Sequence, residues 1–139
     1  MELDCKYVLG DAPVFHNYEK LERYCKLIVG NKAIEEFHVL YLDSQFKLIK
    51  DVLHSAGTID WAAVYVREIV KQALDLNASC IVLLHNHPTA CTSFSSQDID
   101  ITIELMNALE KLNIKLYDHL LVSGNVVYSA RNMRLLDNK

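Results

Sequence analysis

The sequence has few of the residues that link or interrupt folded domains. Its 139 residues include only four glycines and two prolines, and neither a low-complexity segment nor an internal repeat divides it. Apolar residues make up 51% and charged residues 23%, a composition that excludes disordered and fibrous proteins. We expect one domain over residues 1–139, with an N-terminal extension carrying one helix over 1–32 and the core over 33–130.

Cysteine pairing patterns, membrane spans and targeting signals are missing as well. The four cysteines (Cys5, Cys25, Cys80 and Cys91) form neither a CxxC pair nor a tight framework, which indicates a reduced, cytoplasmic protein. No apolar run approaches the roughly 20 residues that cross a bilayer. The N-terminus, MELDCKYVLG, has neither the basic start nor the apolar stretch of a signal peptide. We therefore expect a soluble protein without a membrane partner.

An excess of basic residues is also absent, because the formal net charge is −4. Domains that bind duplex DNA on their own usually present a basic face, since most of their affinity comes from neutralising phosphates. Nucleic acid remains a conceivable partner through a local patch, but the charge balance does not favour it.

The hydrophobic pattern predicts an α/β fold with one mixed sheet and helices on its faces, in the order α-β-β-α-β-α-β-β. The predicted elements are a helix over Tyr18–Val29 ended by Gly30, strands within EEFHVLYLD and FKLIKDVLHSAG joined at residues 43–45, a helix from Ile59 or Asp60 to about Leu76, a strand in SCIVLLH, a helix from Ser95 to about Leu112, and strands within IKLYDHLLVSG and VVYSA around Gly124-Asn125. SCIVLLH has the continuous apolar character of a central strand covered on both faces.

All three helices have predicted apolar faces, and the first should pack through Leu21, Cys25 and Ile28. The second helix, with Asp60 as its N-cap, should pack through Val66, Ile69, Val70, Ala73 and Leu74. The third should pack through Ile99, Ile103, Met106 and Leu109.

The segment HNHPTACTSFSSQD, from His85 to Asp98, carries the chemistry. Side chains alternate on an extended chain, so His85 and His87 project to the same side where the buried strand ends. Asp98 lies in the first turn of the next helix, within reach if the loop folds back. Two histidines and one carboxylate leave the fourth tetrahedral position to water, as in a catalytic zinc site. A surface histidine pair would give the same HxH pattern without any function.

A base and an oxyanion donor complete such a site. Glu35 and Glu36 both stand at the start of the first strand, where either could take a proton from water. Ser95 could donate a hydrogen bond to an oxygen that becomes charged during attack. The run Ser95-Ser96-Gln97-Asp98 equally fits a capping box, in which serine and acid only satisfy the helix N–H groups.

These motifs resemble the signature of the RadC family, a bacterial branch of the JAMM (MPN+) metalloprotease-like domains. A distant glutamate is followed by HxHP and SxxD, here Glu35, His85-Asn86-His87-Pro88 and Ser95-Ser96-Gln97-Asp98. The similarity extends through GTIDWAAVYVREIVKQAL and YDHLLVSG, so it covers roughly residues 33–129. It implies a cytidine-deaminase-like fold, zinc held by His85, His87 and Asp98, Glu35 rather than Glu36 as general base, and Ser95 as the oxyanion-stabilising residue.

The chain departs from the family pattern in three places. The loop reads HNHPTACTSFS where members usually read HNHPSGDPTPS, so Thr89, Ala90 and Cys91 replace its Ser-Gly and acid. Tyr65 and Val66 stand where His-Pro is common. Full-length members also carry an N-terminal helical domain with helix-hairpin-helix character, for which this chain has no room, so we expect a fragment or a solitary catalytic module.

We expect the other polar and aromatic residues to have structural roles. His119 should orient a metal ligand rather than bind metal itself. His38 and His54 should be partly exposed strand positions, and Arg67-Glu68 part of a solvated helix face. Trp61 should be a packing anchor, and Cys91 a plain loop residue rather than a thiol close to the metal.

Two function classes remain open. The leading hypothesis is a zinc-dependent hydrolase of peptide or isopeptide-like amide bonds, with a peptide or protein substrate. The alternative is a DNA-associated repair or recombination protein with a binding or nuclease role on the same fold. The H-x-E and PCxxC signature of zinc deaminases is absent, which argues against base deamination. The sequence specifies neither the substrate nor the oligomeric state.

Overall fold

The computed structural model describes residues 13–57, 59–61, 66–88 and 93–137. These residues form three helices and five strands in the predicted order. The elements are α1 (Tyr18–Val29), β1 (Glu36–Leu42), β2 (Leu48–Ala56), α2 (Val66–Asp75), β3 (Cys80–Asn86), α3 (Ser96–Glu110), β4 (Lys115–Ser123) and β5 (Val126–Ser129). Among the described helices, none is long and apolar enough to cross a bilayer.

The five strands form one mixed sheet in the order β2-β1-β3-β4-β5. β3 pairs antiparallel with β1 and parallel with β4, while β2 and β5 complete antiparallel hairpins at the two edges. Every residue of β3 is buried, as expected for a central strand covered on both faces. The predicted α/β fold class is therefore confirmed, and it agrees with the architecture of JAB/MPN domains.

Each face of the sheet carries its own hydrophobic core. Side chains that alternate along β1 and β3 enter opposite cores, because successive residues of a strand point to opposite faces. The first core packs the sheet against α2 and α3 and includes Phe37, Val39, Ile69, Leu83 and Leu105. The second packs it against α1 and includes Leu21, Cys25, Leu40, Val82 and Leu84. We call these the α2–α3 face and the α1 face.

The predicted boundaries are confirmed for α1, and the first hairpin is present with a longer connection than predicted. Asn17 caps α1 by accepting the backbone N–H of Lys20, and Gly30 ends the helix as predicted. The connection between β1 and β2 covers residues 43–47, two residues more than predicted, because the Asp43 carboxylate accepts the N–H groups of both Gln45 and Lys47.

The second helix differs from its prediction. Ile59 and Asp60 lie in non-helical backbone, α2 is described from Val66, and the predicted helical residues 62–65 lie outside the described residues. Leu74 was predicted to face the core, but it is 52% exposed, because the buried positions of α2 are Ile69 and Ala73 and Leu74 is rotated away from them.

The predicted apolar stripe of α3 is also partly wrong. Its buried positions are Asp98, Thr102, Leu105 and Leu109, so the inward face of the helix begins with two polar residues. Ile99 and Met106 border the core, but Ile103 is absent from it. The hydrophobic pattern failed here because the first turns of α3 pack against the candidate site.

Candidate metal centre

The two histidines of the HNHP motif lie at the carboxyl end of β3. His85 is the next-to-last residue of that strand and is 1% exposed, while His87 follows the strand and is half-buried. Their Nε2 atoms lie 3.2 Å apart, so both rings point to the same side, as the alternation of the extended chain predicted. Two imidazole nitrogens at this distance share either a proton or a cation, because two facing lone pairs repel each other.

Asp98 brings a carboxylate to the same point from the first turn of α3. Its Oδ2 atom lies 3.7 Å from Nε2 of His85, and the side chain is almost fully buried. One donor atom from each of His85, His87 and Asp98 lies within 4.8 Å of the other two. Donor atoms around a tetrahedral zinc ion lie about 3.3 Å apart, so this set fits such an ion with little movement.

Asp98 is fixed from two directions. Its Oδ2 atom accepts the backbone N–H of Ser95 at 2.7 Å, while the Ser95 hydroxyl accepts the N–H of Asp98 at 3.0 Å, which completes the predicted capping box. Its Oδ1 atom accepts the indole N–H of Trp61 at 2.5 Å. The capping interpretation of Ser95 is thus confirmed, and its oxyanion role stays a prediction.

Trp61 was predicted to be only a packing anchor, and that interpretation is incomplete. Its ring does pack edge-on against Phe37, His85 and His119. Its indole N–H also orients the Asp98 carboxylate. A buried tryptophan usually finds an acceptor for this group, and that rule was the one available sign that Trp61 belongs to the site.

The environment of the buried histidines keeps them neutral. Burial lowers the pKa of His85 to about 4, against a smaller opposing effect of Asp98 and with a further lowering by His87. Burial likewise holds the pKa of His119 well below its usual value, and His85 and His87 lower it further. A neutral imidazole offers a lone pair, which is the form that binds a metal ion.

The two neighbouring glutamates face different histidines. Oε2 of Glu35 lies 3.7 Å from Nε2 of His87, beside the candidate metal site. Oε1 of Glu36 lies 2.9 Å from Nε2 of His38 and so is turned away from that site. The structure therefore places Glu35, rather than Glu36, where a base for the site would be required.

Asn86, the residue between the two histidines, holds the backbone around Glu35. Its side-chain oxygen accepts the N–H of Glu36 at 2.7 Å, and its amide nitrogen donates to the carbonyl of Ile34 at 3.0 Å. Both bonds are made by a side chain that is almost fully buried. The position of Glu35 is thus tied to the strand that carries His85, a connection that the sequence analysis did not identify.

His119 lies behind His85 and is fully buried on β4. Its Nε2 atom is 2.8 Å from Nδ1 of His85, and its Nδ1 atom is 2.7 Å from Oγ1 of Thr102. Phe94 packs against both histidine rings. The location of His119 agrees with the predicted orienting role, since it contacts the opposite nitrogen of His85 from the one that faces His87 and Asp98.

His38 was predicted to be partly exposed, and this is wrong, because it is only 7% exposed. Its Nδ1 atom lies 2.8 Å from Oδ1 of Asp51, whose Oδ2 atom accepts the hydroxyl of Tyr24. Burial alone would lower the pKa of His38, but the hydrogen bonds and charges of Asp51 and Glu36 together raise it. A polar residue among the apolar positions of β1 is buried here because two carboxylates lie within hydrogen-bond distance of its ring nitrogens.

The remaining predicted residues fall outside the site or outside the described residues. Arg67 and Glu68 are exposed on α2 and His54 is half-buried, as predicted. The altered loop positions Thr89, Ala90 and Cys91 lie outside the described residues.

Comparison with known proteins adds the family context. A family model described as the RadC-like JAB domain matches residues 15–135, which include α1 as well as the region of resemblance noted above. A UPF0758 protein of Ruegeria pomeroyi is 40% identical over 118 residues, 85% of this chain and 53% of that protein. A UPF0758 protein of Rhodobacter capsulatus is 39% identical over 124 residues, 89% of this chain and 58% of that protein. The chain therefore spans a little over half the length of these relatives.

Proposed function

The chain belongs to the family of RadC-like JAB domains, and from that premise we propose that it is a zinc-dependent hydrolase of peptide or isopeptide-like amide bonds. The family and the group formed by His85, His87 and Asp98 support a metal-dependent hydrolase as the general class. The names of the two relatives state no activity, so the amide bond is proposed from the resemblance to the metalloprotease-like JAMM domains.

One observation carries this proposal: two imidazoles and a carboxylate converge, and a second carboxylate, that of Glu35, stands beside them without joining the group. A structural zinc site would close with a fourth protein ligand, whereas a catalytic site keeps one position open. Oε2 of Glu35 lies 3.7 Å from Nε2 of His87, so its carboxylate can reach a water or substrate bound at the open position. Zinc bound there would supply Lewis-acid chemistry, lowering the pKa of water and polarising a carbonyl.

The remaining catalytic and positioning roles fall to side chains of the protein. Oε2 of Glu35 would take the proton of the attacking water and later return it to the leaving amine nitrogen. The hydroxyl of Ser95 can accept the N–H of Asp98 and still donate its own proton to the substrate oxygen as negative charge develops there. Trp61 and the capping box keep the Asp98 carboxylate turned toward the histidines.

The test compares Glu35→Gln with Glu36→Gln as its matched control. Each protein is reconstituted with zinc, its bound metal is measured, and it is assayed against a peptide library, isopeptide-linked peptides and single- and double-stranded DNA. We expect about one zinc per chain in all three proteins and amide hydrolysis by the parent. Turnover should fall by roughly 10²–10⁴-fold in Glu35→Gln, because an amide cannot take the proton, and by less than about threefold in Glu36→Gln.

Three results would contradict the proposal. If the parent protein does not retain zinc, the proposed metal site is wrong. If Glu35→Gln keeps full turnover, Glu35 is not the general base. Cleavage of DNA without cleavage of any amide would assign the site to the nuclease class.

A further inference from the structure

The hydrogen bonds behind His85 form a chain whose direction is fixed at one end by a backbone carbonyl. Oγ1 of Thr102 lies 2.6 Å from the carbonyl oxygen of Asp98. A carbonyl oxygen has no hydrogen, so Thr102 must be the donor. This bond uses the only proton of the hydroxyl, which leaves Thr102 able only to accept from any other partner.

The next link is therefore determined. Nδ1 of His119 lies 2.7 Å from the same hydroxyl oxygen, so it must carry a proton and donate it. The ring of His119 is fully buried and contacts uncharged groups, namely Thr102, His85, Trp61 and Phe94. A second proton would create a buried positive charge that these contacts do not balance. Nε2 of His119 therefore presents a lone pair.

The last link concerns the candidate metal ligand. Nδ1 of His85 lies 2.8 Å from Nε2 of His119, and since that nitrogen accepts, Nδ1 of His85 must be protonated. A neutral His85 then has its lone pair on Nε2, the atom that faces His87 at 3.2 Å and Asp98 at 3.7 Å. This is the tautomer that a metal ion requires, and the opposite tautomer would place a proton at the metal position.

We propose that Thr102 is a positioning residue which, through His119, fixes the tautomer of His85 and thereby keeps Nε2 of His85 open to a metal ion. Thr102 bonds to the backbone carbonyl of Asp98 rather than to its carboxylate, and its hydroxyl is the only described acceptor for Nδ1–H of His119. The proposal rests on the proposed metal site for its function. The direction of the hydrogen-bond chain can nevertheless be tested without any metal.

The test uses Thr102→Val, which keeps the shape of the side chain and removes the hydroxyl. Without an acceptor for Nδ1–H, His119 should move its proton to Nε2 and donate to His85, which forces the proton of His85 onto its own Nε2. Long-range proton–nitrogen NMR of the metal-free proteins reports which ring nitrogen is protonated. We expect protonated Nδ1 on His85 in the parent and protonated Nε2 in the variant.

Zinc affinity is the second measurement, made by competition with a chromogenic chelator. Loss of such an outer partner typically weakens metal binding about 10–100-fold, and we expect an effect of that size in Thr102→Val. Thr102→Ser keeps the hydroxyl and should restore both the tautomer and the affinity to within about threefold of the parent. Leu109→Val, a buried change two turns along α3, controls for lost stability and should leave both unchanged.

The outcomes separate this proposal from the proposed function. A parent with protonated Nε2 on His85 overturns the proposal whether or not the variants fold. Unchanged tautomer and affinity in Thr102→Val also overturn it, although zinc binding by the parent would leave the proposed function intact. If the tautomer changes in the variant while the parent does not bind zinc, the positioning role stands and the proposed function fails.

Discussion

Two buried histidines, one on each face of the sheet, have pKa values shifted in opposite directions. His85 lies on the α2–α3 face, where its ring contacts other imidazoles and aromatic rings and burial lowers its pKa to about 4. His38 lies on the α1 face between Asp51 and Glu36, and these carboxylates raise its pKa. The two residues belong to neighbouring strands and are both buried, so burial by itself does not explain the opposite directions of the pKa shifts.

The contrast shows what makes a buried histidine a metal ligand. A protonated imidazole has no lone pair to offer, so a histidine held between carboxylates is suited to an ion pair rather than to binding a cation. On the α2–α3 face, by contrast, the carboxylate of Asp98 is engaged by Trp61 and Ser95. We therefore expect changes on the α2–α3 face to impair turnover and changes on the α1 face to impair stability.

On the α2–α3 face the largest effect is expected for Ser95→Ala. The two proposed roles of Ser95, as helix cap and as oxyanion donor, predict different consequences. Loss of the helix cap should lower the free energy of unfolding by about 1 kcal/mol. Loss of an oxyanion donor should lower turnover by roughly a hundredfold, far more than that instability explains. Melting temperature and turnover are measured on the same sample, with Ser96→Ala as the neighbouring control. Reduced stability with unchanged turnover would leave Ser95 as a helix cap alone.

A smaller effect on turnover is expected from a change at Asn86, whose side chain hydrogen-bonds to the backbone on both sides of Glu35. Asn86→Ala removes both hydrogen bonds, so Glu35 should lose its fixed position while the metal ligands keep theirs. We expect turnover to fall about tenfold and zinc affinity to stay within about threefold. Asn132→Ala, an exposed position, is the control. Equal losses of turnover and zinc affinity would mean that Asn86 supports the histidines rather than Glu35.

The smallest effect on turnover is expected on the α1 face. Because the pKa of folded His38 is raised above its usual 6.5, the stabilisation that it provides is complete below about pH 6.5 and is lost as the pH rises through the raised value. His38→Gln should be less stable than the parent by about 1.5–3 kcal/mol at pH 5.5, and this difference should shrink toward pH 9.

Denaturant unfolding of both proteins at several pH values measures that difference, and turnover should stay within about threefold. A stability difference that does not depend on pH would mean that His38 is not charged in the folded protein.

Much of the fold could be predicted because its signals are local. The apolar stripe of α1 and the continuous apolar run of β3 specify those elements without knowledge of their neighbours, and both were predicted with nearly the correct boundaries. The errors arose where tertiary contacts replaced the expected pattern. Ile103 was assigned to the core because an apolar stripe was assumed, whereas α3 buries the polar residues Asp98 and Thr102 against the site.

The sequence by itself determined that His85 and His87 share one side of a strand, since side-chain alternation follows from extended backbone alone. It also determined that Ser95 caps the helix carrying Asp98, because a capping box spans only four residues. Side-chain spacing left Glu35 and Glu36 equivalent, and only the family resemblance favoured Glu35. Tertiary structure places Glu35 beside His87, and it also decided in which direction the pKa of each buried histidine shifts. It also decided that Trp61, Asn86 and Thr102 support the site. These contacts join residues 17–52 positions apart, and they depend on strand register and helix placement, which no local pattern encodes.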